Sequence, residues 1–347
     1  MFGQRAVGGG AAVTGMLRWY ADAVGEPANV LALRTVDVPE PGPGQLLVKV
    51  AGAALGFPDV LLCRGAYQVP QQVPFTPGAE VAGIVVGGDT SGRAATGVGL
   101  GTRVAAVLPG GVGALAQFAV VDRDSAFPVP AALNDAQAAA LTSAYTTAWF
   151  GLHERGHLAA RETLVVTAAA GGVGSAAVQL GLAAGARVIG VVRGAHKVQV
   201  ARGLGAHLVI DSTRGTVSER VLVETGGRGA DVVFDPVGGD TYVDAQRYLA
   251  FGARYLVVGF AAGAIATARL NRPLLGSWSI VGVNVGLHVQ REPDHVRAAL
   301  ERIGEMCAAG VVRPLVGDVV PMARAATRLQ DVGNGATTGR IVVDPWH

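Results

Sequence analysis

The chain has 347 residues and a mass of 35.1 kDa, and 50% of its residues are hydrophobic while 16% are charged. This length fits about two domains, and the apolar fraction excludes an intrinsically disordered protein. The 28 basic and 26 acidic residues almost cancel, so the charge gives no reason to expect a nucleic-acid partner.

No segment of the sequence is suited to cross a membrane. The best candidate, residues 163–192, is interrupted by the glycines around Gly171 and by Arg187. Residues 1–15 are rich in Gly and Ala and lack the apolar core of a signal peptide, so we expect a flexible extension there. Cys63 and Cys307 are the only cysteines, which favours a cytoplasmic protein over a disulfide-bonded secreted one.

The first part of the chain is rich in short β-strands. Apolar and β-branched runs bounded by Gly and Pro predict strands at residues 46–50, 81–86 and 103–108. The pattern then changes, and residues 135–152 are predicted to form a helix capped by Asn134 or Asp135. The β-rich pattern returns after residue 272 and closes with a predicted strand at residues 340–343.

From Thr163 onward, strands alternate with helices. The predicted strands are 164–166, 187–192, 207–210, 231–235 and 254–259, and the predicted helices are 174–184 and 197–204. This alternation is typical of a doubly wound parallel sheet and predicts an α/β fold. We therefore expect an α/β domain at residues 135–272, inserted into a first domain that consists of residues 16–134 and 273–347.

The turn after the first predicted strand of this domain contains Gly171, Gly172, Val173 and Gly174. Glycines at such a turn let backbone N–H groups approach a pyrophosphate at the start of the following helix. The spacing Ala-x-x-Gly-x-x-Gly differs from the commoner Gly-x-Gly-x-x-Gly, and a purely structural Ala/Gly turn is the alternative. The strand before the turn and the helix after it favour dinucleotide binding.

The end of the second predicted strand indicates which dinucleotide binds. An NAD site carries Asp or Glu there to accept from the ribose 2′-OH, whereas this chain has Arg193 and Lys197 and no acid. Both cations would attract a 2′-phosphate, so NADPH is favoured over NADH. The alternative is that both are solvated charges, although cations at a helix N-terminus oppose the helix dipole.

Several motifs in order resemble the zinc-independent quinone oxidoreductase branch, the zeta-crystallin-like branch, of the medium-chain dehydrogenase/reductase family. The segments that carry the resemblance are 57–61, 64–67, 74–83, 168–174, 234–239, 258–260 and 271–284. The resemblance implies a GroES-like β-barrel substrate domain, with a Rossmann domain inserted in it and the active site in the cleft between them. It also implies NADPH-dependent hydride transfer to a quinone or an electron-poor C=C bond, and a homodimer or homotetramer.

The resemblance also assigns residues to the cofactor site. The positions that match family cofactor contacts are Thr147, Gly171 to Gly174, Lys197, Val237, Gly259, Phe260 and Asn284. Two positions depart from the family pattern. Gly56 stands where members often carry an asparagine that contacts the nicotinamide end, and Ser212 stands where a tyrosine often helps to hold the 2′-phosphate.

We expect no metal site. Zinc-dependent relatives need a histidine where this chain has Ala79, and two cysteines cannot form a four-cysteine lobe. His153 and His157 are four residues apart, but no third ligand lies near them in the sequence.

Tyr67 is the candidate proton donor, because a phenol can donate to a developing enolate. The alternative is a tyrosine that only packs against the wall of the cleft. Three functions remain open: a quinone or enone reductase, an enoyl-thioester reductase acting on coenzyme A or carrier-protein substrates, and a non-catalytic NADPH-binding protein. We also expect the apolar segment 274–285 to form an edge strand that pairs across a two-fold axis.

Overall fold

The computed structural model describes residues 15–89 and 97–347, so the expected N-terminal extension lies outside the described residues apart from Gly15. The strands are β1 (Gly15–Ala21), β2 (Leu31–Asp37), β3 (Gln45–Leu55), β4 (Glu80–Gly88), β5 (Arg103–Val107), β6 (Phe118–Asp122), β7 (Ala126–Pro128), β8 (Thr163–Val166), β9 (Arg187–Val192), β10 (Leu208–Asp211), β11 (Ala230–Asp235), β12 (Leu249–Val257), β13 (Ser279–Gly282), β14 (Val316–Pro321) and β15 (Arg340–Asp344). The helices are α1 (Pro27–Val30), α2 (Phe57–Cys63), α3 (Asp135–Ala139), α4 (Thr142–Trp149), α5 (Gly172–Ala183), α6 (Ala195–Gly203), α7 (Val217–Glu224), α8 (Asp240–Ala245), α9 (Asn271–Gly276), α10 (Val285–Arg291), α11 (Pro293–Ala308) and α12 (Ala325–Gly333).

The first domain is built around β3, the long strand at the centre of a seven-stranded sheet. The strand order is β14-β15-β3-β4-β5-β7, and β6 also pairs with β3. Leu46, Val48 and Val50 alternate along β3 and are fully buried, as expected for a strand with one face toward a core. The first and last parts of the chain meet here, because Val343 of β15 pairs with Ala53 of β3. This is the GroES-like architecture that the resemblance predicts.

The second domain is a six-stranded parallel sheet with the order β10-β9-β8-β11-β12-β13. Its central strands are buried on both faces, which explains why Thr163–Val166 and Arg187–Val192 are continuously apolar after their first residue. The direction of the strand order reverses between β8 and β11. Ligands of open α/β sheets bind at the carboxyl ends of the strands at such a reversal. The predicted Rossmann fold and the doubly wound sheet are confirmed.

The end of the inserted domain differs from the expected boundary at residue 272. Strand β13 pairs in parallel with β12, so the polypeptide stays in the second sheet beyond that point. Ile303 and Cys307 of α11 pack in the same core as Leu164 and Val232. Because β13 is a short apolar strand that follows a long loop, its sequence resembles the strands of the β-rich first domain. We propose that the return to the first domain lies near residue 313.

The single helix expected at residues 135–152 is divided into α3 and α4, and a π-helical segment follows at Phe150–Arg155. Asn134 caps α3 as predicted, its side chain accepting from Gln137 N–H at 2.8 Å. Helix α4 begins where Oε2 of buried Glu80 accepts from Thr142 Oγ1 and from Ser143 N–H, both at 2.8 Å. This carboxylate comes from β4 of the other domain, so the local sequence could not reveal the break.

The two domains are joined next to the glycine turn. Gly339 N–H, just before β15, donates to the carbonyl of Ala170 at 2.7 Å, and Gly171 and Gly339 form an isolated parallel bridge. The closing strand of the first domain therefore lies against the predicted dinucleotide turn of the second. In the described ranges, no helix is long and apolar enough to cross a membrane.

Candidate active site

The glycine turn lies between β8 and α5, as predicted from the sequence. A Cβ atom on Gly174 would overlap the carbonyl oxygen of Ala168, so only glycine lets the helix approach the strand so closely. In the parallel bridge between Gly171 and Gly339, the N–H of Gly172 faces the carbonyl of Gly339, whereas within the described residues the N–H groups of Val173 and Gly174 have no backbone or side-chain acceptor. Free N–H groups in the first turn of a twelve-residue helix form a site that fits a pyrophosphate.

Arg193 and Lys197 lie together after β9, at the start of α6. The pKa of Lys197 is lowered by burial and by the nearby charge of Arg193. Nζ of Lys197 donates to the carbonyl of Gly335 at 2.6 Å, a contact that reaches from the second domain to the first. The two cations therefore lie close to one another at the edge of the interdomain cleft.

Asp211, at the end of β10, is an acidic residue whose contact with this turn is not evident from the sequence. Its Oδ1 accepts from Gly194 N–H at 2.9 Å and from Thr213 N–H at 3.0 Å, and its side chain is 8% exposed. These contacts direct the carboxylate toward the backbone of the turn that carries Arg193. Asp211 thus fixes the backbone of the turn that carries Arg193.

A buried carboxylate, Asp235, organises the point where the strand order reverses. It accepts from Thr167 Oγ1 at 2.5 Å, from Tyr255 Oη, and from the N–H groups of Val237 and Gly238 at 2.8 and 3.1 Å. The side chains come from the carboxyl ends of β8, β11 and β12. The network fixes the loop that carries Val237, one of the predicted cofactor contacts.

Of the remaining predicted cofactor residues, two lie next to this loop and two belong to helices. Gly259 lies against Pro236, and the ring of Phe260, 39% exposed, lies against Gly238. Thr147 is half-buried on α4, which packs on α5. Asn284 is the N-cap of α10, with Oδ1 accepting from Leu287 N–H at 3.3 Å, so its side chain also has a structural task.

On the side of the first domain, Asp59 holds two loops of the cleft. Its Oδ2 accepts from Gly56 N–H at 2.8 Å and its Oδ1 accepts from Gly78 N–H at 2.9 Å. Burial raises the pKa of Asp59 to about 6, although these hydrogen bonds and the charge of Arg340 act in the opposite direction. Tyr67 packs half-buried against the same core, and burial followed by the charge of Asp59 raises its pKa. The Tyr67 phenol is therefore protonated and able to donate at neutral pH.

Arg340 and Glu80 were not identified as site residues from the sequence. They form a buried ion pair in which Nη2 of Arg340 donates to Oε1 of Glu80, whose other oxygen binds the start of α4. Burial lowers the pKa of Arg340 to about 10, so the guanidinium stays charged at neutral pH. Nothing in the sequence pattern marks these residues as functional. Glu80 is simply the residue after Ala79, and Arg340 is the first residue of a predicted strand.

Ala79, at the position where the resemblance implies a zinc-binding histidine, has no ligand atom in its side chain. In residues 15–89 and 97–347, no group of three or more His, Cys, Asp or Glu side chains is arranged to hold a metal ion.

Two models of known protein families match this chain, one in each domain. A model of the alcohol dehydrogenase GroES-like domain matches residues 42–131. A model described as zinc-binding dehydrogenase matches residues 172–305, which extends through β13 and most of α11.

Individual proteins match nearly the whole chain. Quinone oxidoreductase-like protein 2 of Bos taurus is 33% identical over 87% of this chain and 85% of its own length. Phthioceranic/hydroxyphthioceranic acid synthase of Mycobacterium bovis is 32% identical over 87% of this chain, which corresponds to 14% of the synthase. The structure of Escherichia coli quinone oxidoreductase complexed with NADPH superposes with a TM-score of 0.87, at 27% identity, and covers 95% of this chain and 100% of that chain.

Proposed function

Because the chain belongs to the quinone oxidoreductase branch of the medium-chain dehydrogenase/reductase family, we propose that it reduces quinones or activated C=C bonds with NADPH. The observation that carries this proposal is that one domain contains both the glycine turn, with its free N–H groups, and the cations Arg193 and Lys197. The turn suits a pyrophosphate, and the cations suit a 2′-phosphate.

The chain's own residues would bind and orient the cofactor, which supplies the hydride when bound. The N–H groups of Val173 and Gly174 would hold the pyrophosphate. The loop carrying Val237, fixed by Asp235, and the loop carrying Gly259 and Phe260 would line the path toward the nicotinamide. Placing both reactants in a cleft between two domains lowers the barrier chiefly by orientation and by excluding water.

We propose that the reaction needs no zinc, since Ala79 stands where a histidine ligand would be required. A quinone needs no strong acid, because solvent can protonate a quinol oxygen. For an enone, the neutral phenol of Tyr67 is our candidate proton donor.

An enoyl-thioester reductase is the second candidate function. The 32% identity to part of an acid synthase favours it, because such an enzyme acts on acyl groups. An enoyl thioester also contains an electron-poor C=C bond conjugated to a carbonyl, so the same site chemistry applies. A non-catalytic NADPH-binding protein is the alternative from a different class.

One set of assays separates these possibilities. NADPH oxidation is followed with 1,4-naphthoquinone, 2-cyclohexenone and crotonyl-CoA as acceptors. We expect turnover with the quinone or the enone, at a higher kcat/KM than with the thioester. A clear preference for crotonyl-CoA would favour the second function, and tight NADPH binding without turnover of any acceptor would contradict both.

We further propose that the chain forms a homodimer through the edge of the parallel sheet. Among the residues that the structure describes, β13 is the last strand of the sheet, so the outer side of its backbone is open to pairing. Leu270, Leu274 and Leu275 beside it are 77–79% exposed. A two-fold axis would pair two such edges and cover these side chains.

A further inference from the structure

The order of the parallel strands arranges the parts of a dinucleotide site along one edge of the second sheet. Arg193 and Lys197, which suit the 2′-phosphate, follow β9, and the glycine turn, which suits the pyrophosphate, follows β8. The next strand in the sheet is β11, and β12 lies beyond it. A cofactor that extends in this direction would bring its nicotinamide to the carboxyl ends of β11 and β12.

The carboxyl end of β11 carries Asp235, whose side chain is surrounded by hydrogen-bond donors. The residue is 1% exposed. Its Oδ1 accepts from Thr167 Oγ1 at 2.5 Å and from Val237 N–H at 2.8 Å. Its Oδ2 accepts from Tyr255 Oη and from Gly238 N–H, the latter at 3.1 Å. Four donors to one carboxyl group stabilise its charged form.

Tyr255 and Tyr242 are neighbouring buried tyrosines that differ in their contact with this carboxylate. Their rings pack edge to face, with centroids 5.0 Å apart. Burial, followed by the charge of Asp235, raises the pKa of Tyr255, so its phenol keeps the proton that it donates. Among the described residues, Oη of Tyr242 is buried without a hydrogen-bond partner. The two side chains therefore share one core, and the phenol of Tyr255 is the one that contacts Asp235.

In the described part of the chain, no cation pairs with Asp235. Its hydrogen bonds within residues 15–89 and 97–347 are the four given above, and no ion pair includes it. By contrast, the buried carboxyl groups of Glu80 and Asp59 have the guanidinium of Arg340 beside them. A buried carboxylate without a cation destabilises the folded protein, and a positive charge that arrives with a ligand would offset this effect.

Hydride donation creates a positive charge at the nicotinamide end of the cofactor. The C4–H bond of the reduced ring breaks, the hydrogen and both electrons move to the acceptor, and the ring is a cation in NADP⁺. A fixed negative charge in a site shielded from water stabilises this developing charge more than it stabilises the neutral reduced ring. Charges placed near a cofactor in this way tune its electronic properties.

We propose that the charge of Asp235 stabilises the oxidised form of the cofactor and thereby assists hydride donation. Thr167 and Tyr255 are positioning residues, because they hold this charge behind the loop that carries Val237. The proposal rests on the proposed function and deepens it, since it concerns the hydride step of that reaction. The carboxylate acts through its electric field and exchanges no proton with the substrate.

Asp235→Asn tests the proposal, because asparagine keeps the size of the side chain but lacks its charge. The Kd for NADP⁺ and the Kd for NADPH are measured by titration without an acceptor. We expect the ratio of the Kd for NADP⁺ to the Kd for NADPH to rise about tenfold. This change corresponds to a rise of about 30 mV in the potential of the bound two-electron couple. Equal weakening of both cofactors would show that Asp235 only holds the loop, and would overturn the proposal.

Tyr255→Phe tests the same charge from the opposite direction and does not depend on the folding of Asp235→Asn. Phenylalanine keeps the ring but removes a donor that partly offsets the negative charge, so the ratio should fall about threefold. Tyr242→Phe is the matched control, because the hydroxyl that it removes has no partner among the described residues. A higher ratio in Tyr255→Phe, or equal shifts in the two tyrosine variants, would contradict the role of the charge.

Turnover provides a second readout. At saturating NADPH, kcat with 1,4-naphthoquinone should fall about tenfold in Asp235→Asn, because the charge acts on the transition state. The KM for the quinone should stay within about twofold of wild type, since Asp235 lies behind the loop and does not contact the acceptor. A higher KM with unchanged kcat would overturn the proposal by assigning Asp235 to the binding of the acceptor.

The two kinds of measurement separate this proposal from the proposed function. A wild type that reduces no acceptor would overturn the proposed function, and the titrations would still decide how the charge of Asp235 acts on the cofactor. An active wild type whose ratio of Kd values equals that of Asp235→Asn would overturn the role of Asp235 alone.

Discussion

At the scale of single residues, the site depends on charges whose partners lie far away in sequence. Lys197 contacts Gly335 across the two domains, and Glu80 contacts Arg340 within the first domain. The sequence pattern identifies Lys197 because a cation replaces the acid of an NAD site. It does not identify Arg340, because separations of 260 residues leave no local signal.

Lys197→Met should weaken NADPH binding much more than NADH binding. The ammonium would pair with the 2′-phosphate, which NADH lacks, so we expect the Kd for NADPH to rise about tenfold to a hundredfold. Fluorescence titration of both cofactors measures the change. Lys49→Met is the control, because this other lysine stacks on Trp346 in the first domain, with Nζ 4.5 Å from the ring centroid. Equal losses for both cofactors would contradict the assignment.

Asp59 should make stability depend on pH between about 4 and 6. Its pKa rises from 3.8 to about 6 on folding, so the folded state binds more protons than the unfolded state in this window. The contribution of Asp59 is therefore fully present below pH 3.8 and is lost as the pH rises through about 6. It amounts to about 3 kcal/mol at most.

Urea unfolding of wild type and Asp59→Asn at several pH values measures this contribution. We expect the wild type to lose stability relative to the variant as the pH rises across the window. Asp124→Asn, with a side chain 70% exposed, is the control and should show no such trend. A constant difference between wild type and Asp59→Asn would show that the carboxyl titrates normally.

At the scale of elements, regular buried strands are predictable and elements defined by distant contacts are not. Strand β9 has the predicted bounds, because its apolar run is closed by Arg187 and Arg193. The division between α3 and α4 is not predictable, because the carboxylate that binds the start of α4 comes from β4. Strand β13 looks like part of the first domain until its pairing with β12 is known.

Gly174→Ala should disturb the contact between β8 and α5. The new Cβ would overlap the Ala168 carbonyl, so the helix must move, at a cost of about 1–3 kcal/mol in the free energy of unfolding. Weaker NADPH binding should accompany the loss, because the N–H groups of the turn move with the helix.

Gly203→Ala in α6 is the matched control for this change. No atom of the described residues lies within 4 Å of a Cβ built there, so helix propensity should raise stability by up to about 1 kcal/mol. Urea unfolding and NADPH titration of both variants make the comparison. Equal behaviour of the two would show that Gly174 is not needed for close packing.

At the scale of the whole molecule, the two domains contact each other at the glycine turn. The sequence motifs occur along the chain in the same order as the parts of the two domains. The resemblance predicts this architecture correctly, with a GroES-like domain and an inserted Rossmann domain. The second boundary and the interdomain contacts near Gly339 come only from the structure.

The proposed dimer can be tested by light scattering. The wild type should have about twice the 35.1 kDa mass of the chain, and Leu274→Glu/Leu275→Glu should shift it toward the monomer. Both leucines lie beside the open edge of β13, where charges would prevent burial. Val223→Glu, 73% exposed on α7, is the control. A monomeric wild type would contradict the proposal.

The central claim is direct hydride transfer from NADPH to a carbonyl-activated acceptor without a metal. The most direct measurement uses NADPH deuterated at C4, 2-cyclohexenone and protein treated with a metal chelator, followed by mass spectrometry of the product. We expect one deuterium at the β-carbon of cyclohexanone and a rate unaffected by chelation. A product without deuterium, a requirement for added metal, or bound NADPH that is never consumed would contradict it.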